Sequence, residues 1–167
     1  MVSEEDFKAE KLAEWGFDKK EYTLGKIDIK LEHIWIEAKQ KDEDIFVMLS
    51  QIIFTAYREK LKSQDLPIAF GCFNSKKAAL IDNYQAEEVF AHTDIDWTQT
   101  PSKVNEKTVE RIKFLLKQVK EYNLDDFGRE IKKINTLGFL EQKQITKNNF
   151  ITVYNDWLLY VGNFLEE

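Results

Sequence analysis

The chain has 167 residues, of which 43% are hydrophobic and 13% aromatic, and its formal net charge is −6. This composition excludes an intrinsically disordered chain, and the single cysteine, Cys72, excludes an intrachain disulfide and a zinc site built on cysteines. Proteins that bind nucleic acid without sequence preference are usually basic, so the acidic charge argues against a protein that binds DNA unaided.

No apolar run reaches 18 residues, and the first residues carry no signal peptide. We therefore expect a cytoplasmic protein that has no membrane partner. Only 2 prolines and 6 glycines occur in the chain, which argues against long linkers or low-complexity segments.

The first third of the chain predicts a helix followed by a β-hairpin. Ser3 is a suitable N-cap for a helix that begins with acidic residues, and Gly16 is a suitable end. Residues 22–30 and 33–39 predict two short strands with a turn between them, which together form the hairpin.

The remaining elements predict a buried helix, two more strands and a helical end. Residues 44–62 are apolar almost all round, as in a helix covered by other layers, and residues 67–73 are a continuous apolar run typical of a central strand. Residues 78–81 predict a further strand, residues 86–91 a short helix, and residues 92–104 a loop. Helical patterns then follow at 106–121, 124–136 and 147–162.

These elements together predict an α/β fold with a mixed central sheet flanked by helices. We place an α/β core at residues 1–100 and a helical extension at residues 101–167. The extension ends in a strongly apolar helix, which suggests a connector to further domains of a longer polypeptide.

Three charged residues of the hairpin can converge at one strand end. Glu37 and Lys39 are two residues apart in a strand, so their side chains point to the same face. If the first strand pairs antiparallel with the second, Asp28 lies close to that face. Two carboxylates and one ammonium are the minimum needed to hold a divalent metal ion and activate a water against a phosphodiester.

Mg²⁺ is the metal ion that these ligands favour, since it takes one or two carboxylates together with waters and phosphate oxygens. Asp28 and Glu37 are the candidate metal ligands, and the carbonyl group of Ala38 can add a third oxygen. We expect Lys39 to orient or deprotonate the attacking water, because the pKa of a lysine in a confined site can be lowered.

Asp28 and the segment Glu37-Ala38-Lys39, which follows the apolar residues Ile34-Trp35-Ile36, resemble the core motif of the PD-(D/E)xK nuclease superfamily. Many restriction endonucleases belong to this superfamily. The proline that often precedes the first aspartate of the motif is replaced here by Ile27. The resemblance covers about residues 5–82 and implies a restriction-endonuclease-like core.

The resemblance implies further site residues on two helices. In these nucleases a carboxylate of the first helix often joins the metal site, which makes Glu10 or Glu14 the candidate, with Glu10 preferred. Related enzymes often place a glutamine on the helix after the motif. Gln51 interrupts the apolar run of that helix, so we expect it to hydrogen-bond a metal-bound water or a phosphate.

More loosely, the whole chain resembles the N-terminal part of large bacterial restriction–modification polypeptides, in which a nuclease domain precedes an adenine methyltransferase. The expectation is therefore a Mg²⁺-dependent DNA endonuclease domain whose target choice comes from other domains, such as a methyltransferase and a target-recognition domain. A nuclease for RNA or single strands is equally compatible with the motif. A second alternative is a degenerate nuclease fold that serves as a protein-interaction or DNA-positioning module.

Overall fold

The structure is a computed structural model that describes residues 3–137. The helix predicted at 147–162 lies outside the described residues. The described elements, in chain order, are α1 (Glu4–Glu14), β1 (Tyr22–Leu24), β2 (Ile29–Leu31), β3 (Ile34–Ala38), α2 (Ile45–Leu61), β4 (Ala69–Phe73), β5 (Ala78–Asp82), α3 (Asn83–Phe90), α4 (Glu106–Leu115), β6 (Lys120–Tyr122) and α5 (Leu124–Leu137). A short 3₁₀ turn lies at Pro101–Lys103.

Within residues 3–137 the strands form one six-stranded sheet in the order β1-β2-β3-β4-β5-β6. Strands β3 and β4 pair in parallel, and each of the other neighbouring pairs is antiparallel. The parallel pair needs a crossover, and α2 supplies it. The prediction of an α/β fold with a mixed sheet flanked by helices is therefore confirmed.

Local capping explains where the two helices next to the site begin. The Ser3 hydroxyl accepts a hydrogen bond from the Asp6 N–H at 3.1 Å, which satisfies a free donor at the start of α1. The Asp44 carboxylate accepts hydrogen bonds from the N–H groups of Phe46 and Val47 at the start of α2. After α1, Gly16 adopts a φ of 84°, a left-handed conformation that glycine reaches at little cost.

Two apolar cores cover the two faces of the sheet. One core joins α2, α3 and α4 to sheet residues such as Trp35 and Phe70. The other joins α1 and α5 to sheet residues such as Ile36 and Phe73. The helices α1 and α5 approach closely where Gly128 faces the Trp15 ring. A Cβ atom added at Gly128 would collide with that ring. The result is a three-layer arrangement in which β3 and β4 are buried along their whole length.

The structure differs from the predicted elements in two places. The strand predicted at 22–30 is two strands, β1 and β2, because the chain turns at Gly25–Asp28. The helix predicted at 106–121 ends at Leu115, and Lys120–Tyr122 forms the edge strand β6, which pairs with β5.

The predicted division at residue 100 cuts through a continuous structure. Strand β6 belongs to the same sheet as the first five strands, and Phe127 and Ile131 of α5 are buried in the core that covers it. The described part of the extension is therefore integral to the α/β unit. Within residues 3–137, no helix is both long enough and apolar enough to span a bilayer.

Candidate metal centre

The candidate site lies at the carboxyl end of β3. Trp35 packs in the core on the α2 side of the sheet, so strand alternation directs Glu37 and then Lys39 to that same side. The Lys39 N–H donates to the Phe73 carbonyl at 3.0 Å, which continues the pairing with β4 one residue past the strand. The backbone beneath both side chains is thereby fixed by the central pair of strands.

Asp28 is fastened to β3 by its carboxylate. It precedes β2, and its Oδ2 accepts a hydrogen bond from the Ala38 N–H at 3.0 Å. The N–H and C=O of one strand residue point to the same side, so the Ala38 carbonyl also faces the side of Asp28. Three oxygen-bearing groups, from Asp28, Glu37 and Ala38, therefore meet at this strand end.

The carboxyl groups of Asp28 and Glu37 are close enough to share a proton. The pKa of Glu37 is raised to about 8, first because the group is buried and then because the Asp28 charge and a hydrogen bond to Asp28 favour the protonated form. The charge of Lys39 works in the opposite direction. At neutral pH Glu37 consequently keeps a proton and donates it toward Asp28.

Lys39 completes the cluster, and its Nζ lies 3.5 Å from Glu37 Oε1. Burial works to lower the pKa of Lys39, but attraction to Glu37, Asp28 and Glu4 outweighs burial, and the net pKa is raised. The lowered pKa that the sequence suggested for this lysine is therefore wrong for the cation-free site. Its ammonium group stays charged at neutral pH because two acidic side chains surround it.

Lys8 is a further residue of the cluster that sequence reasoning missed. This buried lysine of α1 places its Nζ 3.4 Å from Asp28 Oδ1 and 3.6 Å from Glu5 Oε1. The available signal was its position, because Lys8 lies four residues before the buried Leu12 and so occupies the inward face of α1. A lysine on such a face is usually explained by an aliphatic stem that covers the core.

The structure does not bring Glu10 or Glu14 to the cluster. Both are exposed, and Glu14 Oε2 accepts a hydrogen bond from Lys11 Nζ at 3.2 Å. Glu10 is two residues from Lys8, so the helical period of 3.6 residues turns it roughly 200° away from the inward face. The side chain that α1 contributes to Asp28 is therefore a cation and not a carboxylate.

Gln51 has an unsatisfied oxygen. Its side-chain Oε1 is buried and lacks a hydrogen-bond partner among the described residues. A buried polar atom without a partner costs about 1–3 kcal/mol, so such an atom in a natural protein calls for an explanation. A water or ligand that donates a hydrogen bond to Gln51 would remove this cost.

The donor set suits Mg²⁺ better than a transition metal. Among residues 3–137, no group of three or more histidine, cysteine, aspartate or glutamate side chains forms a metal cage. Mg²⁺ needs no such cage, because it keeps several waters and takes one or two carboxylates.

Comparisons of the chain with protein-family models, with curated proteins and with solved structures found no match. The geometry of the cluster formed by Lys8, Asp28, Glu37 and Lys39 is therefore what supports a functional assignment.

Proposed function

We propose that the chain is a Mg²⁺-dependent endonuclease that hydrolyses phosphodiester bonds of DNA. The observation that carries this proposal is the contact between the Asp28 and Glu37 carboxyl groups beside the Lys39 ammonium at the end of a buried strand. Carboxyl groups are rarely buried together, since their charges repel, unless a cation or a proton lies between them.

The order of elements supports the same proposal. A helix, three antiparallel strands, a crossover helix and a parallel strand surround the cluster. This is the arrangement that the resemblance to PD-(D/E)xK nucleases implies for residues 5–82. A role in a restriction–modification system follows from the looser resemblance, with other domains choosing the target and the cytoplasm as the site of action.

Each residue of the site has its own role in this proposal. Asp28, Glu37 and the Ala38 carbonyl would hold Mg²⁺, which supplies charge stabilisation at the phosphate and acidifies a bound water. Glu37 releases its proton when it becomes a ligand. Lys39 remains an ammonium, so it orients the water or a phosphate oxygen by donating hydrogen bonds rather than acting as the base. Gln51 Oε1 accepts a hydrogen bond from a water of the same site.

A cleavage assay tests this proposal. The full chain is incubated with plasmid DNA and Mg²⁺, and Asp28→Ala, Glu37→Ala and Lys39→Ala should each lower the rate at least about a thousandfold, as when a key electrostatic contact of a transition state is lost. Glu10→Ala is the matched control, because it removes an exposed carboxylate away from the cluster and should leave cleavage unchanged.

Melting temperatures recorded alongside establish that each variant folds. Retained cleavage in all three cluster variants would show that the active site lies elsewhere. Single-stranded DNA and RNA are assayed in parallel. They decide whether the protein cleaves duplex DNA or is a nuclease of the same fold that cleaves RNA or single strands.

The degenerate interaction module is the second candidate, and the Lys8–Asp28 ion pair favours it. A tethered ammonium 3.4 Å from Asp28 supplies positive charge where a metal ion would otherwise be required. The net charge of −6 points the same way. Calorimetric titration with Mg²⁺ separates the two candidates, because the nuclease binds Mg²⁺ through Asp28 and Glu37 and the module does not.

A further inference from the structure

A second charged cluster surrounds Glu59 near the end of α2. The Glu59 side chain is only 11% exposed, and its Oε1 lies 3.0 Å from Lys26 Nζ and 3.7 Å from Lys62 Nζ. Lys30 is the third lysine whose charge acts on this carboxylate, and its Nζ lies 5.4 Å from the centre of the Trp35 ring. One carboxylate therefore faces three ammonium groups.

The Glu59 cluster differs from the other ion pairs of the surface. Lys76 pairs with Asp42 at 3.0 Å, Arg111 pairs with Asp94 at 2.9 Å, and Lys60 pairs with Glu87. In those pairs each cation has its own carboxylate. Around Glu59 the lysines outnumber the carboxylate by two charges, although the chain as a whole carries −6.

The ammonium groups of Lys26 and Lys62 are crowded together, because they lie 3.0 Å and 3.7 Å from the same Glu59 oxygen. Crowding of like charges costs free energy unless an anion offsets it. The C-terminal end of a helix attracts cations through its dipole, which accounts for Lys62 but not for Lys26 and Lys30, because those two come from the β1–β2 hairpin.

A cavity of about 240 Å³ opens between these groups. Its lining includes Lys26, Lys30, Thr23 and Gln64, which can donate hydrogen bonds to an anion, together with the Glu59 carboxylate, which only accepts them. Gly25 forms part of the wall, and a Cβ atom there would meet nothing within 4 Å. A water occupies about 30 Å³ in the liquid, so the cavity has room for a phosphate group.

We propose that the cavity between the β1–β2 turn and the end of α2 binds a backbone phosphate of duplex DNA. Lys26 and Lys30, which line the cavity, contact the phosphate, Lys62 adds positive charge beside them, and Glu59 positions Lys26. This inference rests on the proposed function for its choice of DNA as the ligand. The lysines and the cavity themselves do not depend on the metal centre.

The position of the cavity relative to the metal centre suits this role. Lys26 is two residues before Asp28, so one turn of the chain supplies both a phosphate contact and a metal ligand.

Binding of a fluorescein-labelled duplex to the full chain in EDTA tests this inference, with anisotropy measured as a function of salt. Each phosphate contact adds about 0.9 to the slope of log K against log salt. We expect Lys26→Gln and Lys30→Gln each to lower the slope by about one and to weaken binding equally for different sequences. When salt is raised from 50 to 200 mM, the affinity of both the wild type and the variants should fall. The factor by which it falls should be about 3–4 times smaller for either variant than for the wild type.

Lys76→Gln is the matched control, because it removes the same charge from a lysine that has its own carboxylate. It should leave the slope unchanged, and Lys26→Arg should retain it. An unchanged slope in Lys26→Gln and Lys30→Gln overturns the inference, and so does an equal loss in Lys76→Gln or a wild type that does not bind the duplex.

The assay in EDTA separates this inference from the proposed nuclease. If the wild type cleaves no DNA but the lysine variants have reduced slopes, the result would support the phosphate site and contradict the nuclease. Cleavage that depends on Asp28, together with unchanged slopes in the lysine variants, would support the nuclease and contradict the phosphate site.

Discussion

Glu37 and Glu59 are equally buried, with 8% of each residue exposed, yet their pKa values move in opposite directions. The pKa of Glu37 is raised to about 8 by burial and by the neighbouring Asp28 carboxylate. The pKa of Glu59 is lowered, chiefly by its contact with Lys26, although burial works against that shift. The exposed fraction of a carboxyl group therefore does not decide its charge in this protein.

The difference lies in which groups the fold places beside each carboxylate. Glu37 shares the end of β3 with another acid, and Lys39 opposes only part of the repulsion. Glu59 lies among lysines that, within residues 3–137, have no other carboxylate as close. The first arrangement places one acid beside another, whereas the second places several lysines around a single acid.

Glu37→Gln tests the first half of this contrast and has the largest expected effect on stability. Because the folded pKa of Glu37 is raised to about 8, the folded protein keeps a proton that the unfolded chain releases, and stability falls as pH rises from about 4.5 to about 8. The variant should be more stable than the wild type at pH 8, by on the order of 2 kcal/mol, and similar to it at pH 4. Urea denaturation without divalent cations measures both values, and an equal gain at pH 4 would contradict the role of ionisation.

Lys8→Gln sharpens the contrast, because it removes the ammonium group that lies beside Asp28. The variant should lose about 1 kcal/mol of stability without divalent cations, since Asp28 is left beside Glu37 with less compensation. Mg²⁺ should then raise the melting temperature more in the variant than in the wild type. Lys11→Gln is the control, because its partner Glu14 is exposed and the pair should contribute little. Equal shifts with Mg²⁺ in the variant and the wild type would contradict competition between Lys8 and the metal ion.

Glu59→Gln should have the smallest effect and the opposite sign to Glu37→Gln. A carboxylate with a lowered pKa stabilises the fold above its unfolded pKa, and this contribution is lost as pH falls through the folded pKa. The variant should be about 0.5–1 kcal/mol less stable than the wild type at pH 7, and the difference should shrink as the pH is lowered to 3. Chemical denaturation at the two pH values checks this, and a variant that is more stable at pH 7 would break the comparison.

Strand alternation and the hairpin spacing were enough to predict that Asp28, Glu37 and Lys39 meet, because these rules depend only on local backbone geometry. The direction of the Lys39 pKa shift was not predictable, since burial lowers this pKa while Glu37, Asp28 and Glu4 raise it, and only the tertiary structure decides which effect is larger. Lys8 was missed for a similar reason, because its partner Asp28 lies 20 residues away and only the docking of α1 brings the two together.

The mixed sheet was predicted from its apolar strands, but strand β6 was not. Lys120-Glu121-Tyr122 is short and polar, and the nearest apolar pattern continues that of α4. What makes it a strand is pairing with Ala78–Leu80 of β5, some 40 residues earlier in the chain. Edge strands of this kind are fixed by tertiary contacts more than by their own sequence.

The close approach of α1 and α5 bears on the order in which the protein is assembled during synthesis. Helix α1 leaves the ribosome first, but Phe127 and Gly128, against which Trp15 packs, are made more than 100 residues later. Contacts of such long sequence separation form late, because a long loop must close before they contribute. The contacts of Trp15 with α5 therefore have to wait until the end of the described chain has been made, whereas Lys8 can reach Asp28 as soon as the first strands have formed, because the two lie only 20 residues apart.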